Sequence, residues 1–184
     1  MRSLLTLAMV ALLVIGGIGC KKVKKSYHLS RANHYYDASQ MDRAEIEYLN
    51  VLRNDPANSQ AFGRLGLIYY DQGRSLKAAP YLAKGSQLAP DDLNLRLKLG
   101  LIYSSIGLVT QALAQANFIL EKKPADDEAT LLLAETANKT NEITATRQRL
   151  QNMARNGDRA AIEVALGNLA LREQNLAAAG DAYK

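Results

Sequence analysis

At 184 residues the chain has room for one globular domain or one repeat array. It is 48% apolar but only 6% aromatic, lacks tryptophan and has four prolines, a composition that favours helix over sheet. Its net charge of +5 comes from Arg2, Lys21, Lys22, Lys24 and Lys25, after which 18 basic residues balance 18 acidic ones, so the later chain has no basic excess to suggest a nucleic-acid partner.

In chain order, the first element is a targeting segment. Arg2 precedes an apolar run from Leu4 to Ile18, followed by Gly19 and Cys20. A run of about fifteen residues is short for a transmembrane helix, which needs roughly twenty, but suits a signal peptide. The pattern resembles a bacterial lipoprotein signal. That resemblance implies cleavage before Cys20 and acylation of Cys20, making residues 1–20 a signal peptide with lipobox and 21–25 a basic, membrane-proximal linker. An uncleaved membrane anchor and an ordinary signal peptide cut after Gly19 remain open. Lys21 follows the cysteine where the sorting rule for inner-membrane retention has aspartate, so the resemblance implies the outer membrane, with an inner-membrane anchor as the alternative. The lysines can rest on anionic headgroups, each adding about 1 kcal/mol.

Residues 26–184 are governed by a period. Pro56, Pro90 and Pro124 are 34 apart, as are Tyr35, Tyr69 and Tyr103, and Ala44, Ala78 and Ala112. Gly66 and Gly100 share the spacing, as do Gly73 and Gly107, with Ala32 and Ser39 as small counterparts one repeat earlier. This pattern resembles the tetratricopeptide repeat (TPR) family, whose unit is two antiparallel helices. The resemblance implies an all-α right-handed superhelical solenoid of about five repeats: 25–58, 59–92, 93–126, a degenerate 127–159 and a partial 160–184. Small residues are expected where the paired helices cross, and tyrosine between them. A small or glycine residue is expected at the turn, and proline after the second helix. In repeat four Ala137 replaces the tyrosine, Thr146 the alanine and Asp158 the proline. Repeat five restarts at Leu166-Gly167 and stops at Lys184 inside its second helix, which reads as a truncation. Pro80 falls off the grid, inside the helix expected over 75–88, and predicts a kink or a late helix start.

No nucleophile–base set, Walker motif, H-E-x-x-H or Cys-x-x-Cys is present, so the expectation is a non-enzyme with no cofactor, metal or small-molecule substrate. The single cysteine excludes an internal disulfide. His28 and His34 read as surface residues. Asp91-Asp92 and Asp126-Asp127 read as acids at helix N-termini.

The TPR resemblance also implies that first helices line a concave groove. It assigns to that groove Asn33, Tyr36 and Asp37 from repeat one, Leu67, Tyr70 and Asp71 from repeat two, and Leu97 and Leu101 from repeat three. Gln60, Gly63 and Asn94 hold further inward positions. Tyr36-Asp37 and Tyr70-Asp71 recur one repeat apart, and tyrosine on a rigid helix is a good anchor. The lysine-rich clamp of some TPR domains is absent, with only Asn33 matching. The expected function is a membrane-tethered envelope scaffold that holds a protein or peptide partner. TPR lipoproteins of exosortase-linked (PEP-CTERM-type) systems and of pilus or outer-membrane assembly are similar in plan. The alternative is an interaction domain of a larger enzyme, such as a glycosyltransferase or peptidase.

Overall fold

A computed structural model describes residues 27–155 and 159–184, and all the regular structure described is helical. The helices are α1 (27–37), α2 (Met41–Asn54), α3 (Ser59–Asp71), α4 (Ser75–Leu88), α5 (Leu93–Ser105), α6 (Val109–Lys122), α7 (Asp127–Thr136), α8 (Thr140–Ala154), α9 (Ala160–Arg172) and α10 (Leu176–Ala182). Odd-numbered helices are the first of each pair. From α3 on, each first helix packs on its own partner, and α3, α5 and α7 also pack on the next first helix, which makes a solenoid of helix pairs. The targeting segment, with Cys20 and the basic linker, lies outside the described residues, as does Asp158.

The 34-residue period is written into the helix ends. Asn58, Asp92 and Asp126 are the N-caps of α3, α5 and α7, and each side chain accepts the backbone N–H three residues on, from Ala61, Leu95 and Ala129. These side chains satisfy donors that a helix start leaves unpaired. At the other end, the backbone turns left-handed at Ser39, Gly73 and Gly107, with φ of 57°, 70° and 77°. The next N–H then reaches back to the carbonyl of Tyr35, Tyr69 or Tyr103, each at 2.8 Å. This is a Schellman-type ending, which explains the glycines.

Close helix crossings account for the small residues. Ala32, Ala44, Ala78 and Ala112 are fully buried. A Cβ on Gly66 would lie 2.7 Å from Leu82 side-chain carbons and 2.9 Å from its backbone nitrogen. One on Gly100 would lie 2.6 Å from Leu132 Cδ2.

The core forms two clusters that adjoin at α5. Ala32, Tyr48, Leu65, Ile68, Tyr69 and Leu82 belong to the first, with Leu95, Leu99 and Ile102 of α5. Leu97 belongs to the second, with Ala116, Ile119, Leu132, Leu150 and Ile162. Leucines at 93, 95, 97, 99 and 101 make α5 apolar around most of its circumference, which suits a helix packed on both sides.

Three expectations need correction or qualification. Pro80 does not delay α4, which begins at Ser75 and continues through it. Proline lacks the N–H that would bond to the Leu76 carbonyl, and Leu76 is 80% exposed, so this part of the helix faces solvent. His28 is half-buried rather than a plain surface residue: its Nδ1 lies 2.6 Å from Oε2 of buried Glu47. In repeat four α7 ends at Thr136, three residues shorter than α5, without a left-handed turn. Arg172 of α9 instead donates to the carbonyls of Ala134 and Ala137, at 2.8 and 2.7 Å.

Candidate functional site: the face of the first helices

The candidate site is built from the exposed and half-buried stripes of α1, α3 and α5. On α1 the stripe is Asn33, Tyr36 and Asp37. On α3 it is Gln60, Arg64, Leu67, Tyr70 and Asp71, and on α5 it is Asn94, Lys98 and Leu101. The spacing of three and four residues keeps each set on one helical face.

Leu97 is a correction. It is only 5% exposed and is held in the second core cluster, so it contributes no groove surface. Gly63 is also buried, with an added Cβ 3.0 Å from Leu95 Cδ1. Asp37 and Asp71 are exposed, while Asn33, Tyr36, Leu67, Tyr70 and Leu101 are half-buried.

The two tyrosines are not bare. Arg64 of α3 lies over the Tyr36 ring, 4.3 Å from its centroid. Lys98 of α5 lies over the Tyr70 ring at 5.5 Å. Arg64 and Lys98 are themselves 34 residues apart. The period therefore builds a ladder in which each tyrosine meets a cation from the next first helix. Such contacts contribute about 0.5–1 kcal/mol at exposed sites. Sequence reasoning found the tyrosines and missed their cations, although the same spacing was available to reveal them. Lys98 also lies 4.0 Å from Glu128 of α7.

Behind this ladder the amides are fixed. Tyr48, fully buried on α2, donates to Asn33 Oδ1 at 2.8 Å. Gln60 donates to the same oxygen at 3.2 Å. Both bonds use the Asn33 oxygen, which leaves its Nδ2 as the donor for a ligand. Burial pushes the Tyr48 hydroxyl up to about 12, so it stays protonated and able to donate.

The neighbouring tyrosine, Tyr69, has the opposite setting from Tyr70. It is fully buried, and its hydroxyl donates to Glu45 Oε1 at 2.8 Å. Lys77 and Arg74 sit over its ring at 4.0 and 4.8 Å. Burial pushes the Glu45 carboxyl up, but hydrogen bonds from Tyr69 and Lys77 and the charges of Lys77 and Arg74 outweigh it, so it titrates below its ordinary value. Tyr35 and Tyr103, in the same column as Tyr69, are only half-buried.

Between α3 and α5 the surface sinks into a depression of about 310 Å³ whose lining includes Gln60, Gly63, Arg64, Leu67 and Asn94. All but Arg64 are inward positions in the sequence reading. A second, wider depression of about 590 Å³ lies on another face, between α2, α3 and α4, beside Leu49, Phe62 and Tyr81. Among the described residues no group of His, Cys, Asp and Glu side chains could hold a metal ion. No described helix is long and apolar enough to cross a membrane.

A stack of helix pairs with a lined face on its first helices defines the class: a helical-repeat solenoid. Residues 29–92 match the family model described as tetratricopeptide repeat. The fold is similar to that of MamA from Desulfovibrio magneticus, with a TM-score of 0.71 at 15% identity over 87% of this chain and 91% of that one. It is also similar to YrrB, described as a TPR protein with an unusual peptide-binding site, with a TM-score of 0.70 at 16% identity over 84% of this chain and 80% of that one. In sequence, 95 residues are 30% identical to human superkiller complex protein 3, covering 52% of this chain but only 6% of that protein.

Proposed function

We propose that this chain is a protein-interaction scaffold of the bacterial cell envelope, tethered to a membrane through a lipid on Cys20. It holds a peptide or partner domain on the face of its first helices, in the assembly, secretion or export of envelope components. The observation that carries the binding reading is the periodic face itself. Half-buried Asn33, Tyr36, Leu67, Tyr70 and Leu101 recur on successive rigid helices beside a depression with polar walls. Such a surface offers anchors at low entropic cost and needs no cofactor. The peptide-binding site in the description of YrrB supports the same mode. The tether rests on the resemblance of residues 1–20 to a lipoprotein signal, and the outer membrane is favoured by Lys21.

A second reading has one supporting observation. A similar helical array covers 26% of an O-GlcNAc transferase from Thermobaculum terrenum, with a TM-score of 0.55 at 22% identity. An interaction domain within a larger enzyme is therefore the alternative.

The binding face is tested by paired substitutions. Tyr70→Ala is expected to weaken partner capture from envelope extract by about 2 kcal/mol with little loss of stability. Tyr69→Ala removes a fully buried ring and is expected to cost roughly 3–5 kcal/mol of stability. Unfolding of Tyr70→Ala, or undiminished capture by it, would sink the assignment. For the tether, Cys20→Ser is expected to abolish labelling by radioactive palmitate, and equal labelling of both forms would end the lipoprotein reading.

A further inference from the structure

Resting on the reading of Cys20 as a lipid anchor, we propose that the outer edge of α1 and the start of α2 form a surface that lies on an anionic phospholipid bilayer. Its occupant is the layer of lipid phosphates. The contact stands the first repeat on the membrane and leaves the opposite side of α1, with Asn33 and Tyr36, clear of it.

The surface is built by α1. Tyr27, Arg31 and His34 fall on one stripe of the helix, with Ser30 beside it. Tyr27, Ser30 and His34 are exposed, Tyr27 by 55%. Arg31 fixes the stripe: its guanidinium donates to the hydroxyls of Tyr27 and Tyr35, at 2.9 and 3.1 Å. Exposed Arg43 of α2 lies 5.7 Å from the centroid of the Tyr35 ring, so the cluster crosses from α1 to α2. Tyrosine and arginine are the side chains that suit a membrane surface. The ring settles at headgroup depth with its hydroxyl in water, and the guanidinium pairs with phosphate.

Charge sets the sign of the partner. In sequence, residues 21–36 hold Lys21, Lys22, Lys24, Lys25 and Arg31 and no Asp or Glu. Among the acids near the stripe, Glu47 is buried and turned inward, 2.6 Å from His28 Nδ1 and 3.1 Å from Arg31. Asp37 ends α1 four residues on from Asn33, on the groove side. Asp42 precedes Arg43 and projects about 100° round α2 from it. The far end of the array has the opposite balance: within residues 160–184, Glu163, Glu173 and Asp181 outnumber Arg172 and Lys184. Chain length sets the place. Tyr27 is seven residues from Cys20, so even a fully extended chain keeps it within about 24 Å of the acylated sulfur. A lipid on Cys20 therefore presents this stripe to the bilayer at high effective concentration, where contacts too weak to hold a free protein are sufficient. Anionic headgroups attract Lys and Arg over that short range and repel the acidic far end.

The test uses the full chain purified from membranes, in vesicles of phosphatidylcholine alone or with one-third phosphatidylglycerol. Cys20 is the only cysteine and is blocked by its acyl group, so Ser30→Cys takes a single nitroxide at the outer edge. Ala177→Cys, exposed on α10, takes one at the far end. Collision with a nickel-chelating lipid broadens the nitroxide spectrum. In anionic vesicles the Ser30 label is expected to collide at least about fivefold more often than the Ala177 label, and the excess should shrink in phosphatidylcholine alone. Tyr27→Ala combined with Arg43→Glu should cut the Ser30 collisions at least about threefold, with vesicle flotation unchanged. Circular dichroism melts establish that this variant is folded. Equal collisions at the two labels, the same excess in both vesicles, or no change in the double variant would overturn the surface. If the protein still floats, the tether stands without it. Ser30 broadening that disappears on dilution with unlabelled protein would show a second copy on this edge and overturn the proposal as well. Failure to float with either vesicle would overturn both the tether and the surface.

Discussion

Gly66 shows how tightly single positions are specified. Alanine there gains about 1 kcal/mol of helix propensity. Its methyl, however, would lie 2.7 Å from Leu82 side-chain carbons and 2.9 Å from the Leu82 backbone nitrogen, which cannot swing away. Overpacking of this kind costs about 1–3 kcal/mol. Gly66→Ala is therefore expected to lower the thermal midpoint, and an unchanged or higher midpoint would contradict the close crossing of α3 and α4. Glu45 makes a second prediction at this scale. Its pKa is depressed in the folded state, so its contribution is present above the unfolded value of 4.5 and is lost as pH falls through the folded one. Thermal stability should decline below about pH 4.5, and Glu45→Gln should flatten part of that decline. A parallel pH profile in the variant would remove Glu45 from the account. Among single residues the sequence disclosed Gly66, Ala78 and Tyr69, because each sits in a column that repeats. Leu97 was not legible in the same way. Its column gives Gly63 in repeat two, and only the packing of α7 against α5 decides that this leucine turns into the core.

At the level of elements, the helix pairs of the first three repeats were readable from proline, glycine and tyrosine spacing, and their ends match the caps and left-handed turns of the structure. Repeat four was readable only as a departure. Its missing tyrosine, second-helix alanine and proline announced a weak unit, but the early end of α7 depends on a partner that is far away in sequence. Arg172 supplies from α9 two hydrogen bonds to the last carbonyls of α7, in place of the local turn. Charge-assisted bonds to such carbonyls contribute about 1.5–3 kcal/mol. Arg172→Ala is expected to destabilise the fourth repeat by about that amount, with faster amide exchange in α7 and α8 than in α3 and α4. Uniform exchange across the array would show that α7 needs no such cap. The cation ladder is also an element-level feature. Arg64 and Lys98 stood in plain view at the repeat spacing, yet their role depends on reaching the tyrosine of the preceding helix, which no single helix displays.

On the scale of the whole molecule, a repeat array separates stability from recognition. Both helices of a pair bury the residues at their crossing, such as Leu65, Gly66 and Ile68 of α3 and Ala78 and Leu82 of α4, while the first helices also carry a half-buried stripe on another face. Each repeat needs only its neighbours for stability, so the binding face can vary without altering the stack. Site-specific photo-crosslinking in cells shows which face of the stack meets a partner. A photoreactive residue is placed at Tyr70 or Leu101 on the first helices, and separately at Ile46 or Leu76, which are well exposed on second helices. Discrete partner adducts are expected from Tyr70 and Leu101 and none from Ile46 and Leu76. Adducts from Ile46 or Leu76 alone, with silence from Tyr70 and Leu101, would contradict recognition by the first helices.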